Sequence, residues 1–209
     1  YFARHDVRTG LWNRREFDIR LEVLSRDAKE NLHNHIVMYM DLDQFKVLND
    51  TVGHAAGDEL LSQISGLMSG FVRERSDTVA RLGGDEFGVL MANCELERAL
   101  EVANGLRETI QQYRFDWQGQ IFTIGISIGI SLITEHSKSS GELLAEADHA
   151  CFTAKAKGRN QVHVYKADDQ DTVEQRHEMR WALAIPEALR NSSFQLYYQS
   201  IQTISDGAR

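Results

Sequence analysis

The sequence predicts a mixed α/β (α+β) fold, a central sheet flanked by helices and not purely parallel. Three observations carry that prediction. Ile36-Val37-Met38-Tyr39-Met40 is a short, nearly continuous apolar run, which is how a strand buried on both faces reads. Leu60, Leu61, Ile64, Leu67, Met68, Phe71 and Val72 recur three and four apart, as on an amphipathic helix. Gly83-Gly84 interrupts the stretch from Thr78 to Met91, which reads as two strands around a tight turn and makes the sheet mixed.

The other elements follow in order. Leu11, Phe17, Ile19, Leu21, Leu24 and Leu32 predict a helix over 11–33 with one buried face. The buried strand extends to Asp43. Residues 44–57 form a short helix and turn, and the amphipathic helix starts at Asp58, where a carboxylate suits free N–H groups. A helix over 95–113 comes next, then two strands around Gln118-Gly119, the second reaching Leu132. A helix over 141–157 stops at Gly158, and Gln161 to Tyr165 is a strand. The polar break Asp168-Asp169-Gln170-Asp171 marks a boundary. Beyond it, 172–191 reads as a helix divided at Pro186, and Phe194 to Gln199 reads as a strand. The expected domains are 1–166, a linker at 167–175, and an incomplete unit at 176–209.

Bulk properties narrow the function. With a net charge of −8, the chain lacks the basic excess that nucleic-acid binding needs. It can still hold a nucleotide if a divalent cation bridges the like charges. No apolar run approaches the ~20 residues that span a membrane, and no signal peptide is evident. The expected location is cytoplasmic, with any membrane anchor left to segments outside this chain, which, beginning at Tyr1, is expected to be a piece of something longer. Cys94 and Cys151 read as reduced and structural.

The candidate chemistry lies in two acidic spots. Asp41 and Asp43 end a buried strand, where they repel each other and lose hydration unless a cation relieves both costs. Asp85 and Glu86 follow the glycine turn of Gly83 and Gly84. Strand alternation points these two to opposite faces and so gives them different tasks. Each spot alone is compatible with capping aspartates or an acidic hairpin. Together they place carboxylates on adjacent strands, as two-metal nucleotidyl transfer requires. Lys46, Lys155 and Arg159 are candidate phosphate ligands, the last two expected on one helix face. Asn49 and Asp58 suit a guanine edge. His33-Asn34-His35 is a weak metal candidate.

These residues resemble the GGDEF family, the diguanylate cyclases. Gly83-Gly84-Asp85-Glu86-Phe87 is its signature. Asp6 to Arg15 looks like its opening turn. Asp41-Leu42-Asp43-Gln44-Phe45-Lys46 through Asn49-Asp50, Gly53-His54 and Gly57-Asp58 is similar to its nucleotide-binding segment, and Ala147-Asp148, Ala154-Lys155 and Gly158-Arg159-Asn160 to its closing helix. The resemblance implies a fold like nucleotidyl cyclases and polymerase palms. It implies condensation of two GTP into cyclic di-GMP, a bacterial second messenger, and pyrophosphate. Asp41, Asp85 and the Leu42 carbonyl would hold two Mg²⁺, with Mn²⁺ as a substitute. Asp41, Asp85 and Glu86 would form the catalytic set. Asn49 and Asp58 would read guanine, and Phe45, Lys46, Lys155 and Arg159 would hold phosphates. A homodimer would bring two GTP sites together.

Two departures qualify this. The family's inhibitory product site, Arg-x-x-Asp, falls on Glu74-Arg75-Ser76-Asp77, where Glu74 replaces the arginine. Arg73 and Arg75 are expected to point elsewhere, so product inhibition is not expected. The tail, Leu189-Arg190 and Phe194 to Gln199, resembles the start of an EAL phosphodiesterase domain, with Ser200 where Pro is usual. It lacks the signature and the metal ligands, so this chain cannot hydrolyse cyclic di-GMP by that route. The expected parent is a GGDEF–EAL tandem. Against an active cyclase stands a GTP-binding regulatory module with weak catalysis, controlling an adjoining phosphodiesterase. A scaffold that binds no nucleotide is a third reading.

Overall fold

A computed structural model describes residues 3–73, 75–137 and 139–166, all within the compact unit Tyr1–Asp169. Glu74, the linker at 167–175, the 172–191 helix with Pro186, and the 176–209 segment with its Phe194 to Gln199 strand lie outside the described residues. In chain order the elements are β1 (Trp12–Asn13), α1 (Arg14–Asn31), β2 (His35–Asp43), α2 (Phe45–Val52), α3 (His54–Ser69), β3 (Thr78–Gly83) and β4 (Glu86–Met91). Then come α4 (Leu96–Gln112), β5 (Phe115–Trp117), β6 (Gln120–Phe122), β7 (Gly125–Ile133), α5 (Ser140–Ala156) and β8 (Val162–Val164).

The main sheet has the order β1-β3-β4-β2-β7-β8. β2 is central, antiparallel to both β4 and β7. The outer strands β1 and β8 pair in parallel with β3 and β7. Every residue of β2 is buried, as its unbroken apolar run requires. Side-chain alternation splits the core in two. Ile36, Met38, Met40 and Leu42 pack with residues of α2, α3 and α4. Val37 and Tyr39 pack with Phe17 and Leu21 of α1 and Leu144 and Ala147 of α5. Asp41 and Asp43 continue the second set, so both project toward the α5 side.

Three boundaries differ from the sequence reading. Trp12 and Asn13 pair with β3, so α1 starts at Arg14, capped by the Asn13 side chain accepting from the Glu16 amide at 3.0 Å. α3 begins at His54, directly after Gly53 turns the chain with φ of 89°. Asp58 therefore lies inside the helix and does not cap it. The strand expected to run from Gly119 to Leu132 is two strands. β6 pairs only with β5 in a separate ribbon. β7 starts at Gly125 because β2 ends there: the pairing runs from His35↔Ile133 to Asp43↔Gly125.

His33 and His35 do not form an open metal set. The carboxylate of Asp27 lies 2.9 Å from His33 Nδ1 and 3.0 Å from His35 Nε2. His35 Nδ1 accepts from the Asn93 amide at 3.0 Å, so the proton sits on Nε2, toward Asp27. A metal would need Nε2 bare. Cys94 and Cys151 are both free and buried.

Candidate active site

The end of β2 and the β3–β4 turn make one acidic corner. Gly84 adopts φ of 47°, a conformation that favours glycine. The turn closes onto β2 through the Leu42 amide, which donates to the Asp85 carbonyl at 3.2 Å. Arg81 holds it from the other side, donating to the Gly84 carbonyl through Nε at 3.0 Å and Nη2 at 2.8 Å. The same guanidinium meets the Asp6 carboxylate of the opening turn at 3.3 Å.

Asp41 is paired with Glu86 across the β2–β4 ladder. Asp85 precedes the strand, so alternation does not separate it from Glu86, contrary to the sequence reading. Burial pushes the Asp41 carboxyl up to about 6, and the charges of Asp85 and Glu86 add to that despite the opposing Lys155 ammonium. Lys155 Nζ sits 2.6 Å from Asp41 Oδ2. Burial alone would lower the Lys155 pKa, but its bond to Asp41 outweighs this and raises it. The corner thus gathers a buried carboxylate and two half-buried ones, with an ammonium already drawn to the first, and carboxylate oxygen is the donor chemistry Mg²⁺ prefers. Asp43 is committed elsewhere. Its oxygens accept from Ser127 Oγ at 2.7 Å and the Asn160 amide at 2.8 Å, which ties β7 and the chain after α5 to β2. Nothing in its type or spacing distinguished it from Asp41.

The raised pKa of Asp41 has a pH consequence. Between about 4 and 6 the native state holds a proton that the unfolded chain releases, so this group lowers stability as pH rises through that window. The metal-free protein should lose Tm from pH 4 to 6, and Asp41→Asn should remove that component. A cation bound at Asp41 would show the opposite trend, its affinity weakening below about pH 6 as the carboxyl is protonated. Calorimetric Mg²⁺ titrations at pH 5.5 and 7.5 test this.

The other site residues cluster beside α2. Its N-cap, Gln44, has φ of 60° and gives no side-chain cap, leaving the first-turn N–H groups around Phe45 and Lys46 open to an anion. Phe45 is buried and Lys46 exposed. Asn49 packs against Gly57, where an added Cβ would lie 2.0 Å from Asn49 Oδ1. That oxygen is buried without a hydrogen-bond partner among the described residues. Asp58 adjoins Gly57 and pairs with Arg8. Arg159 is not on the helix face of Lys155. α5 ends at Ala156, and Arg159 follows Gly158 with φ of 62°. It lines a cavity of about 470 Å³ with Asp43, Gln44, Val47 and Gly125.

The protein-family model for the GGDEF domain, described as diguanylate cyclase, matches residues 3–161. The chain belongs to the GGDEF family. This GGDEF domain is 38% identical over 190 residues to the "Probable diguanylate cyclase DgcE" of Escherichia coli K12, covering 91% of this chain and 17% of that protein. It is 34% identical over 210 residues to "Cyclic di-GMP phosphodiesterase PdeB" of Shewanella oneidensis, covering 99% of this chain and 24% of that one. The chain therefore spans a quarter or less of these relatives. A solved GGDEF domain of TpbB (YfiN) from Pseudomonas aeruginosa superposes with a TM-score of 0.76 at 37% identity, covering 81% of this chain and 99% of that one. The mixed sheet flanked by helices is the fold of that family.

Within the GGDEF domain, Asp77 is occupied. Arg73 donates to it from Nε at 3.0 Å, from Nη2 at 2.7 Å and from its backbone amide at 3.0 Å, and the Ala92 amide adds 3.3 Å. Arg73 thus faces Asp77, contrary to the sequence reading, because the 73–77 turn brings the two together. Asp77→Ala should cost about 2 kcal/mol, the scale for losing hydrogen bonds to a charged group. A Tm unchanged from wild type would sink this structural reading of Asp77.

Proposed function

We propose that this GGDEF domain is a diguanylate cyclase that condenses two GTP into cyclic di-GMP and two pyrophosphates. The observation that carries the reading is the acidic corner, where Asp41, Asp85 and Glu86 meet with Lys155 already bound to Asp41. Asp41, Asp85 and the Leu42 carbonyl would hold two Mg²⁺, or Mn²⁺ in their place. When bound, the metal neutralises triphosphate charge and acidifies the attacking hydroxyl.

The chain's own groups do the rest. Open N–H groups at the start of α2, with Phe45 and Lys46, hold the triphosphate. Arg159, which lines the cavity with Gln44, would add a second cation to it. Lys155, which rests on Asp41 in this structure, would turn to phosphate oxygens. Asn49 and Asp58 hold guanine at the α2–α3 contact. The 3′-oxygen of one GTP then forms a bond to the α-phosphorus of the other. The bond to the β-phosphate breaks, pyrophosphate leaves, and the hydroxyl proton passes to a carboxylate of the corner, a role that would fall to Glu86. The same step in reverse roles closes the ring. Positioning and charge neutralisation supply most of the rate. Each domain holds one GTP, so catalysis needs a homodimer with the two corners facing.

A second reading has one observation in its favour. PdeB aligns over 99% of this chain, the tail included, and is named for hydrolysis. That supports a parent with an EAL domain, in which this domain would bind GTP and regulate with little turnover. Incubation of a dimerised protein with GTP and Mg²⁺, read by chromatography for cyclic di-GMP, decides. Product supports the cyclase. GTP binding without product supports the regulator, and no binding removes both.

A further inference from the structure

The opening turn touches both halves of the site. Asp6 Oδ1 accepts from the amides of Arg8 at 3.3 Å and Thr9 at 2.9 Å, and from the Thr9 hydroxyl at 2.8 Å. That carboxylate also holds Arg81, which grips the Gly84 carbonyl. From this braced backbone the Arg8 side chain reaches α3, where Nη1 pairs with Asp58 Oδ1. Both side chains remain accessible, at 48% and 41% exposure. An exposed ion pair of this kind adds at most about 1 kcal/mol to stability. Its use lies elsewhere.

The argument from here rests on the proposed role of Asp58 in guanine binding. The Watson–Crick edge of guanine carries two neighbouring donors, N1–H and the 2-amino group, and one acceptor, O6. A carboxylate only accepts. Asp58 therefore satisfies the donors and leaves O6 bare. The Asn49 Oδ1 atom, buried without a partner among the described residues, is a further acceptor, while the NH2 of the same amide is a neutral donor. Arg8 brings a charged donor to the carboxylate side of that edge. Its guanidinium has five N–H groups and no acceptor, so the one on Asp58 Oδ1 leaves others for a second acceptor next to that carboxylate.

We propose that Arg8 is a specificity-determining residue, donating to guanine O6 while it holds Asp58 to the two guanine donors. The Arg8–Asp58 pair then presents a donor and acceptors in the order guanine needs. Adenine opposes it twice, with an amine against the guanidinium and the bare N1 lone pair against the carboxylate.

The test uses binding, with Ca²⁺ replacing Mg²⁺ to suppress turnover. Dissociation constants for GTP, ATP, ITP and 6-thio-GTP are measured for the wild type and for Arg8→Ala and Arg8→Gln. ITP lacks the 2-amino group and keeps O6; 6-thio-GTP replaces O6 with a poor acceptor. The wild type should prefer GTP to 6-thio-GTP by about tenfold, a charge-assisted hydrogen bond at an accessible site. Both variants should lose most of that preference and keep the preference over ITP. A GTP to 6-thio-GTP ratio unchanged by either variant overturns the proposal, as does tighter binding of both nucleotides, which would make Arg8 a competitor. A wild type that binds GTP no better than ATP fails the guanine site itself and takes the proposal with it. Arg8 is half exposed, so the Tm of each variant should match wild type, and a Tm match validates the comparison.

Discussion

Asp85→Ala should lower cyclic di-GMP formation at least about a thousandfold, at the upper end for removing one preorganised electrostatic group. The fold should survive. The contact that docks the turn is the Asp85 backbone carbonyl on the Leu42 amide, which alanine keeps. Gly84 and the Arg81 clamp are untouched. Removing a carboxylate that crowds Asp41 relieves repulsion, so the metal-free Tm should hold or rise slightly. The loss should show in linkage: the thermal shift that GTP with Mg²⁺ gives the wild type should largely vanish. Product from the purified variant at a tenth of the wild-type rate would retire Asp85 as a metal ligand and leave the turn as an acidic hairpin.

Gly129→Ala should be the most destabilising small substitution near the site. Gly129 lies mid-strand in β7, under α5. A Cβ there would come 2.0 Å from the Ala147 carbonyl oxygen and 2.1 Å from the Cys151 amide nitrogen. Both are backbone atoms, so no rotamer change relieves the contact and α5 must move. Overpacking of this kind costs about 3 kcal/mol, or roughly 10 °C in Tm for a domain this size. α5 also carries Lys155, 2.6 Å from Asp41, so activity should fall with the Tm. Gly141→Ala on the same helix is the control. Nothing lies within 4 Å of its added Cβ, and alanine improves helix propensity by up to about 1 kcal/mol. Equal Tm values for the two variants would show that β7 and α5 are not in direct backbone contact.

The acidic corner was legible because each half breaks a local rule. Asp41 sits on a strand with no exposed residue, and Asp85 follows two glycines in an apolar segment. Both departures from pattern show in one dimension. Arg159 was misplaced because periodicity assumes a helix that continues, while α5 stops at Ala156 and Gly158 turns the chain at φ of 121°. Arg73 was misread because it was taken from a position in a motif, whereas the 73–77 turn folds its guanidinium onto Asp77. Asp43 looked equivalent to Asp41 until Ser127 and the Asn160 amide claimed both its oxygens.

The sequence by itself determined the class of fold, its central strand and the two acidic spots, since these depend on polarity repeated at a fixed period or interrupted by glycine. Its ordered motifs also determined the family. Only the tertiary structure decided which carboxylate stays available. It put Lys155 on Asp41, closed Asp43 with donors from distant segments, and brought Arg8 to Asp58. Those are pairings between residues far apart in the chain, and a charge's partner is set by which backbone lies across from it, information that no spacing carries.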